Sequence, residues 1–138
     1  MRVRVFVVWE RVLITDRIRP KARALSRLSD RRAAQFWDRE RLVSQEIREA
    51  AQADPSHPFA VCCAAQRVIW DVVAVFPKGV RWEGNFPAPA FADGAVIEVK
   101  DDFRRALQDA ANQSRVGFSG AQTAGPAMFR AAPLPSPK

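Results

Sequence analysis

Two adjacent cysteines, Cys62-Cys63, are the only thiols in this chain of 138 residues, and thiol chemistry is the first reaction class the sequence offers. Neighbouring Cα atoms lie about 3.8 Å apart, below the usual disulfide span of about 4.4–6.8 Å. A vicinal disulfide therefore asks for a strained peptide link. If the segment is extended, the two thiols face opposite ways; in a flexible loop both sulfurs can clamp a soft metal ion. His57 is nearby, but two cysteines and one histidine leave a tetrahedral zinc site one ligand short, and Asp54 completes it only by folding back. Without chemistry, the pair is two small apolar residues at a strand entrance, among Ala60, Val61, Ala64 and Ala65. A reactive thiol needs an electropositive, partly exposed setting, and Arg67 is the nearest basic residue along the chain.

A second constellation is the aromatic–acid pair that recurs as Trp9-Glu10, Trp37-Asp38 and Trp70-Asp71. Strand ends on one edge of an open α/β sheet are where ligands bind. Glu10, Asp16 and Asp38 can converge there on a small basic ligand, or one of them can accept a proton. The plainer reading makes Asp38 a helix cap, Asp16 a loop residue and the tryptophans core. Asp71 fits that reading least, because a carboxylate inside a central strand is costly unless paired; Arg4 and Arg31 are its candidate partners.

Charge supplies the third reading. Of 22 basic residues, 13 lie in residues 1–50, against 7 acidic ones there, and the whole chain carries a net charge of +7. Arginine forks suit carboxylates and phosphates, and arginines beside Trp9, Phe36 and Trp37 suggest stacking plus phosphate contact. No nucleic-acid motif accompanies them, and basicity alone supports only non-specific attraction. No phosphate-binding glycine loop, His-Glu zinc motif or Ser-His-Asp set is present. The sole histidine, His57, weakens histidine-based acid–base schemes, and no cofactor is implied.

These residues need elements to position them. Val3–Val12 is β-branched and aromatic and reads as a buried strand. Pro20 opens a helix with Ala22, Leu25 and Leu28 as a stripe, and Ala33–Trp37 is a second strand. Asp38 is a good N-cap for a helix with Val43, Ile47, Ala50 and Ala51 on one face, ended by Asp54-Pro55-Ser56-His57-Pro58. Val68–Phe76 is the clearest strand. Phe86–Ala92 reads as a proline-led strand, with a tight turn at Asp93-Gly94 and a return strand to Val99. Lys100-Asp101-Asp102 opens a last helix, with Phe103, Ala106, Leu107 and Ala110 on its apolar face and early acids complementing its dipole. Residues 117–138, rich in Gly, Ala, Pro and Ser, read as a disordered tail. The apolar run after Met1-Arg2 stops at Glu10-Arg11, too short for an export signal, and no run reaches membrane-span length. A cytoplasmic protein without a membrane partner is expected.

The order β-α-β-α-β-β-α, with Pro-Ala-Pro-Ala-Phe-Ala-Asp-Gly ahead of the last helix, resembles the thioredoxin-like fold over residues 1–116. Val-Val-Trp-Glu, Gln-Phe-Trp-Asp and Ile-Trp-Asp-Val-Val-Ala-Val resemble small bacterial members of that fold with no established activity. The resemblance implies a central mixed sheet flanked by helices. It also implies a proline before the fourth strand that is commonly cis and faces the active site. Pro89 is its nearest match and Pro87 the second, and a cis X–Pro bond is cheap enough for that use. The family's Cys-x-x-Cys is absent: the corresponding stretch reads Trp9-Glu10-Arg11-Val12-Leu13-Ile14-Thr15-Asp16. The leading expectation is a redox-inactive binding or interaction module, with Trp9, Glu10, Asp16, Asp38 and Pro89 as its surface and a protein or small molecule as partner. The rival is a thiol oxidoreductase or thiol/metal-binding protein using Cys62 and Cys63, and the third reading is an arginine-driven polyanion binder.

Overall fold

The computed structural model describes residues 3–116. The elements run β1 Val5–Glu10, α1 Ala22–Leu25, β2 Ala33–Asp38, α2 Leu42–Ala53, α3 Ala60–Cys63, β3 Val72–Val75, β4 Phe91–Gly94 and α4 Lys100–Val116. The class is mixed α/β. Its strands form two two-stranded sheets, β1–β2 and β3–β4, where the sequence reading expects one central sheet. The tail expected over 117–138 lies outside the described residues. The chain divides into two compact units, 3–43 and 44–116, with the boundary in the first turn of α2.

In the first unit β1 and β2 pair in parallel, from Val5 opposite Ala33 to Glu10 opposite Asp38. Parallel neighbours need a crossover, and residues 11–32 supply it, with α1 as a single helical turn. Val7, Trp9, Gln35 and Trp37 share one face of the ladder; Val8, Glu10, Phe36 and Asp38 share the other. The rings of Phe6 and Phe36 lie 6.1 Å apart on that second face. Gln35 fastens the first face: its Oε1 accepts Trp9 Nε1–H at 2.9 Å. Its Nε2 donates to the carbonyls of Leu25 at 2.9 Å and Leu28 at 3.1 Å, which joins both strands to α1.

In the second unit β3 and β4 are antiparallel, from Val72 opposite Gly94 to Val75 opposite Phe91. Phe86 lies edge-on to Phe59, Phe76 and Trp82, with ring centroids 5.8, 6.2 and 4.8 Å away. Ile47, Ala51, Phe59, Cys63, Ile69 and Val75 are buried. Helix α4 packs on β3. Its first-turn acids pair along the exposed face, Asp101 with Arg104 and Asp102 with Arg105.

Three expectations are corrected here. The strand expected over Val68–Phe76 starts only at Val72, because Asp71 has φ of +53°, a left-handed backbone that breaks extension. Trp70 and Asp71 are exposed, so Asp71 is not a buried carboxylate and needs neither Arg4 nor Arg31. The return strand after Asp93-Gly94 is also absent. Ala95–Val99 is instead a turn into α4, with the N–H groups of Glu98 and Val99 donating to the Ala95 carbonyl at 2.9 and 3.2 Å. The partner of β4 is β3, reached across the long connection of residues 76–90. At Gly94 the backbones approach closely: a Cβ there would stand 2.7 Å from the Asp71 carbonyl oxygen. Finally, Cys62 and Cys63 do not stand at a strand entrance but on the helical turn α3.

Candidate functional site

Helix α2 is followed by a turn held by Asp54, whose Oδ1 accepts Ser56 N–H at 2.8 Å and Ser56 Oγ–H at 2.6 Å. Those bonds, with His57 close by, hold the Asp54 carboxyl below its ordinary range. The His57 N–H donates to the Asp54 carbonyl at 2.9 Å, and Ala60 N–H to the His57 carbonyl at 2.7 Å. Local hydrogen bonds therefore carry the chain straight into α3, in a stretch where apolar composition alone suggested extension. Cys63 N–H donates to the Phe59 carbonyl at 3.0 Å, and Gln52 Nε2 ties α2 to the end of α3 through the Ala64 carbonyl at 3.0 Å.

On this turn the sulfurs of Cys62 and Cys63 stand at disulfide distance from each other. Successive side chains on a helical turn are about 100° apart around its axis, against about 180° along an extended segment. The two cysteines are not equivalent. Cys63 is fully buried, whereas Cys62 is half-buried, with its Sγ 3.6 Å from the Phe59 carbonyl oxygen. Phe59 is itself buried, stacked on the His57 ring with centroids 5.7 Å apart. His57 Nδ1 accepts the Phe59 N–H at 3.3 Å, and its Nε2 is buried without a hydrogen-bond partner. Beside the pair, Ala51, Gln52, Pro55, Ala60, Val61 and Ala64 line a shallow apolar groove of about 410 Å³. Among the described residues, no group of three or more His, Cys, Asp or Glu side chains is placed to hold a metal ion. Arg67 is exposed, and its carbonyl accepts from Arg48 Nη1 at 3.4 Å.

The residues of the other expected surface are occupied mainly by local structure. Glu10 and Asp38 are register partners at the ends of β1 and β2, so the ladder does bring two carboxylates side by side. Asp38, however, is 6% exposed. Its Oδ2 accepts Val43 N–H at 2.8 Å and its Oδ1 accepts Glu40 N–H at 3.2 Å. It caps α2 from the end of β2, ahead of Arg41, whose φ of +60° turns the chain into the helix. Asp16 closes its own loop, accepting Leu13 N–H at 2.9 Å through Oδ2. Trp9 is half-buried and bonded to Gln35. Pro89 is buried in the second unit just before β4, with the Ala88–Pro89 bond trans.

Sequence reasoning missed Gln35 and Phe59. A lone amide inside the β-branched and aromatic surroundings of β2 was the available signal for the first. Phe59 carried no signal beyond its hydrophobicity. No helix among the described residues is long and apolar enough to cross a membrane. No family model, curated protein or solved structure matches this chain.

Proposed function

We propose that the protein is a thiol–disulfide exchange protein whose working couple is Cys62-Cys63. The observation that carries this reading is the Cys62-Cys63 pair at disulfide distance, with Cys62 half-buried and Cys63 buried. A structural disulfide stabilises chiefly by closing a loop in the unfolded chain, and the effect grows with loop length. A bond between residues one apart in sequence closes no such loop. That favours a chemical use over a structural one.

The exchange balances with a dithiol partner. A partner thiolate attacks Cys62 Sγ, the Cys62–Cys63 bond breaks, and Cys63 leaves as a thiolate that takes up a proton. The partner's second thiol then displaces Cys62, so the partner ends as a disulfide and this protein as a dithiol, two electrons and two protons richer. The reverse sequence oxidises a partner. Reduced Cys62 has the Phe59 carbonyl within reach of its S–H.

The element order supports placing this chemistry on a thioredoxin-like scaffold. A parallel β1–β2 pair in one unit and an antiparallel β3–β4 pair in the other are each compatible with that order. The missing Cys-x-x-Cys would then be replaced by a pair at a different point of the chain. The thiol reading is preferred over the binding-module reading because Trp9, Asp16 and Asp38 are held by hydrogen bonds within their own unit.

The test is intact-mass analysis of the full chain equilibrated in glutathione buffers of graded ratio. A reversible gain of two hydrogens is expected, lost in Cys62→Ser and in Cys63→Ser, with Cys62 alkylating faster in the reduced protein. Two free thiols at every glutathione ratio would overturn the proposal.

A further inference from the structure

The crossover from β1 to α1 carries a feature the thiol chemistry does not use. Leu13, Ile14 and Ile18 are 61, 83 and 68% exposed, and they alternate with exposed Arg11, Arg17 and Arg19. The backbone that presents them is held by its own hydrogen bonds. Asp16 Oδ2 accepts Leu13 N–H at 2.9 Å, Asp16 N–H donates to the Leu13 carbonyl at 3.0 Å, and Arg17 N–H to the Thr15 carbonyl at 2.9 Å. Arg17 Nε donates to the Ile14 carbonyl at 3.3 Å. The only acid in the segment is thus spent on shaping the turn, which leaves its exposed side chains mainly aliphatic and cationic.

We infer that this loop is a docking tip for an anionic lipid surface, dipping Leu13, Ile14 and Ile18 into the headgroup–acyl boundary while Arg11, Arg17 and Arg19 meet the phosphates. Aliphatic side chains gain from leaving water without needing a shaped cavity, which suits the exposed Leu13, Ile14 and Ile18. Charge decides among the occupants. A second copy would bring the same arginines together, and nucleic acid has nothing to stack on Leu or Ile. An anionic leaflet takes both components at once, and each basic residue near it strengthens binding about fivefold at low salt. Such docking is peripheral and asks for no spanning helix.

The test is co-sedimentation of the full chain with phosphatidylcholine vesicles, with and without phosphatidylserine. Binding to the phosphatidylserine vesicles is expected, and little to phosphatidylcholine alone. Ile14→Ser and Ile18→Ser, which change no charge, should each weaken binding several-fold. Arg17→Gln should weaken it about fivefold, and circular dichroism should show every variant folded. Failure to bind phosphatidylserine vesicles at low salt would overturn the inference and leave an acidic protein as the fitting partner. So would binding that ignores the isoleucine substitutions, which would mark plain attraction of a +7 chain to a polyanion.

Discussion

Removing the Asp38 carboxylate separates a structural from a ligand-binding role for the acid pair at the strand ends. In the folded chain Asp38 is 6% exposed and its two oxygens satisfy the N–H groups of Glu40 and Val43. Asp38→Ala removes both acceptors together and leaves donors at the head of α2 without partners. Loss of a cap costs about 0.5–2 kcal/mol, and a hydrogen bond to a charged group is worth about 1.5–3 kcal/mol. The two figures overlap in content, so they are not summed; the expected loss is about 2–3 kcal/mol. For a domain of this size that lowers Tm by roughly 8–20 °C. Asp38→Asn keeps one acceptor oxygen and gives up the charge, so its loss is about 1 kcal/mol. Urea titration followed by far-UV circular dichroism and by tryptophan fluorescence reads both variants, and an unchanged m-value shows that the comparison is one of stability. An Asp38→Ala variant within about 0.5 kcal/mol of the parent, the range of an ordinary surface change, would refute the capping role. The carboxylate would then be available to a ligand, and the Glu10–Asp38 pair would return as a binding site.

Three further outcomes follow from the same structure. Gly94→Ala places a Cβ 2.7 Å from the Asp71 carbonyl oxygen and 3.1 Å from a Val72 methyl. It should cost about 1–3 kcal/mol as overpacking in thermal melts, and a neutral result would mean that β3 and β4 are not so closely apposed. Gln35→Ala strips the partner from Trp9 Nε1–H and from the Leu25 and Leu28 carbonyls. A loss of about 1–2 kcal/mol is expected in urea titrations, partly restored by Gln35→Glu only at a pH low enough to protonate the new side chain. The Asp30 carboxyl is held at about 2, first by the side-chain hydrogen bond from Arg32 and then by the Arg32 N–H. Its folded value lies below the unfolded 3.8, so its contribution is present above about pH 4 and disappears as pH falls through about 2. Carboxyl NMR titration should give that midpoint, shifted upward in Arg32→Gln; an Asp30 midpoint near 3.8 in the parent chain would refute the pairing.

Much of the local structure was legible in the residues because it depends on near neighbours. The β-branched and aromatic run of β1, the cap at Asp38, the Ile47–Ala51 stripe of α2 and the Phe103–Ala110 face of α4 all express periodicity or a hydrogen bond reaching a few residues. The illegible parts depend on partners distant in sequence or on a single backbone dihedral. Nothing in Phe91–Gly94 says that it pairs with Val72–Val75 rather than with the residues following it. That choice is made where Gly94, having no Cβ, lies against the Asp71 carbonyl. The left-handed turn at Asp71 likewise ends β3 early and puts Trp70 and Asp71 into solvent, although their composition suggests a central strand. The candidate site shows the same division. Sequence alone determined that Cys62 and Cys63 are the only thiols and that no Cys-x-x-Cys exists. Tertiary structure decided that they lie on a helical turn with their sulfurs at disulfide distance, Cys62 half-buried and Cys63 buried, because the Asp54–Ser56 turn and the Phe59 core contact set the path of the chain into α3.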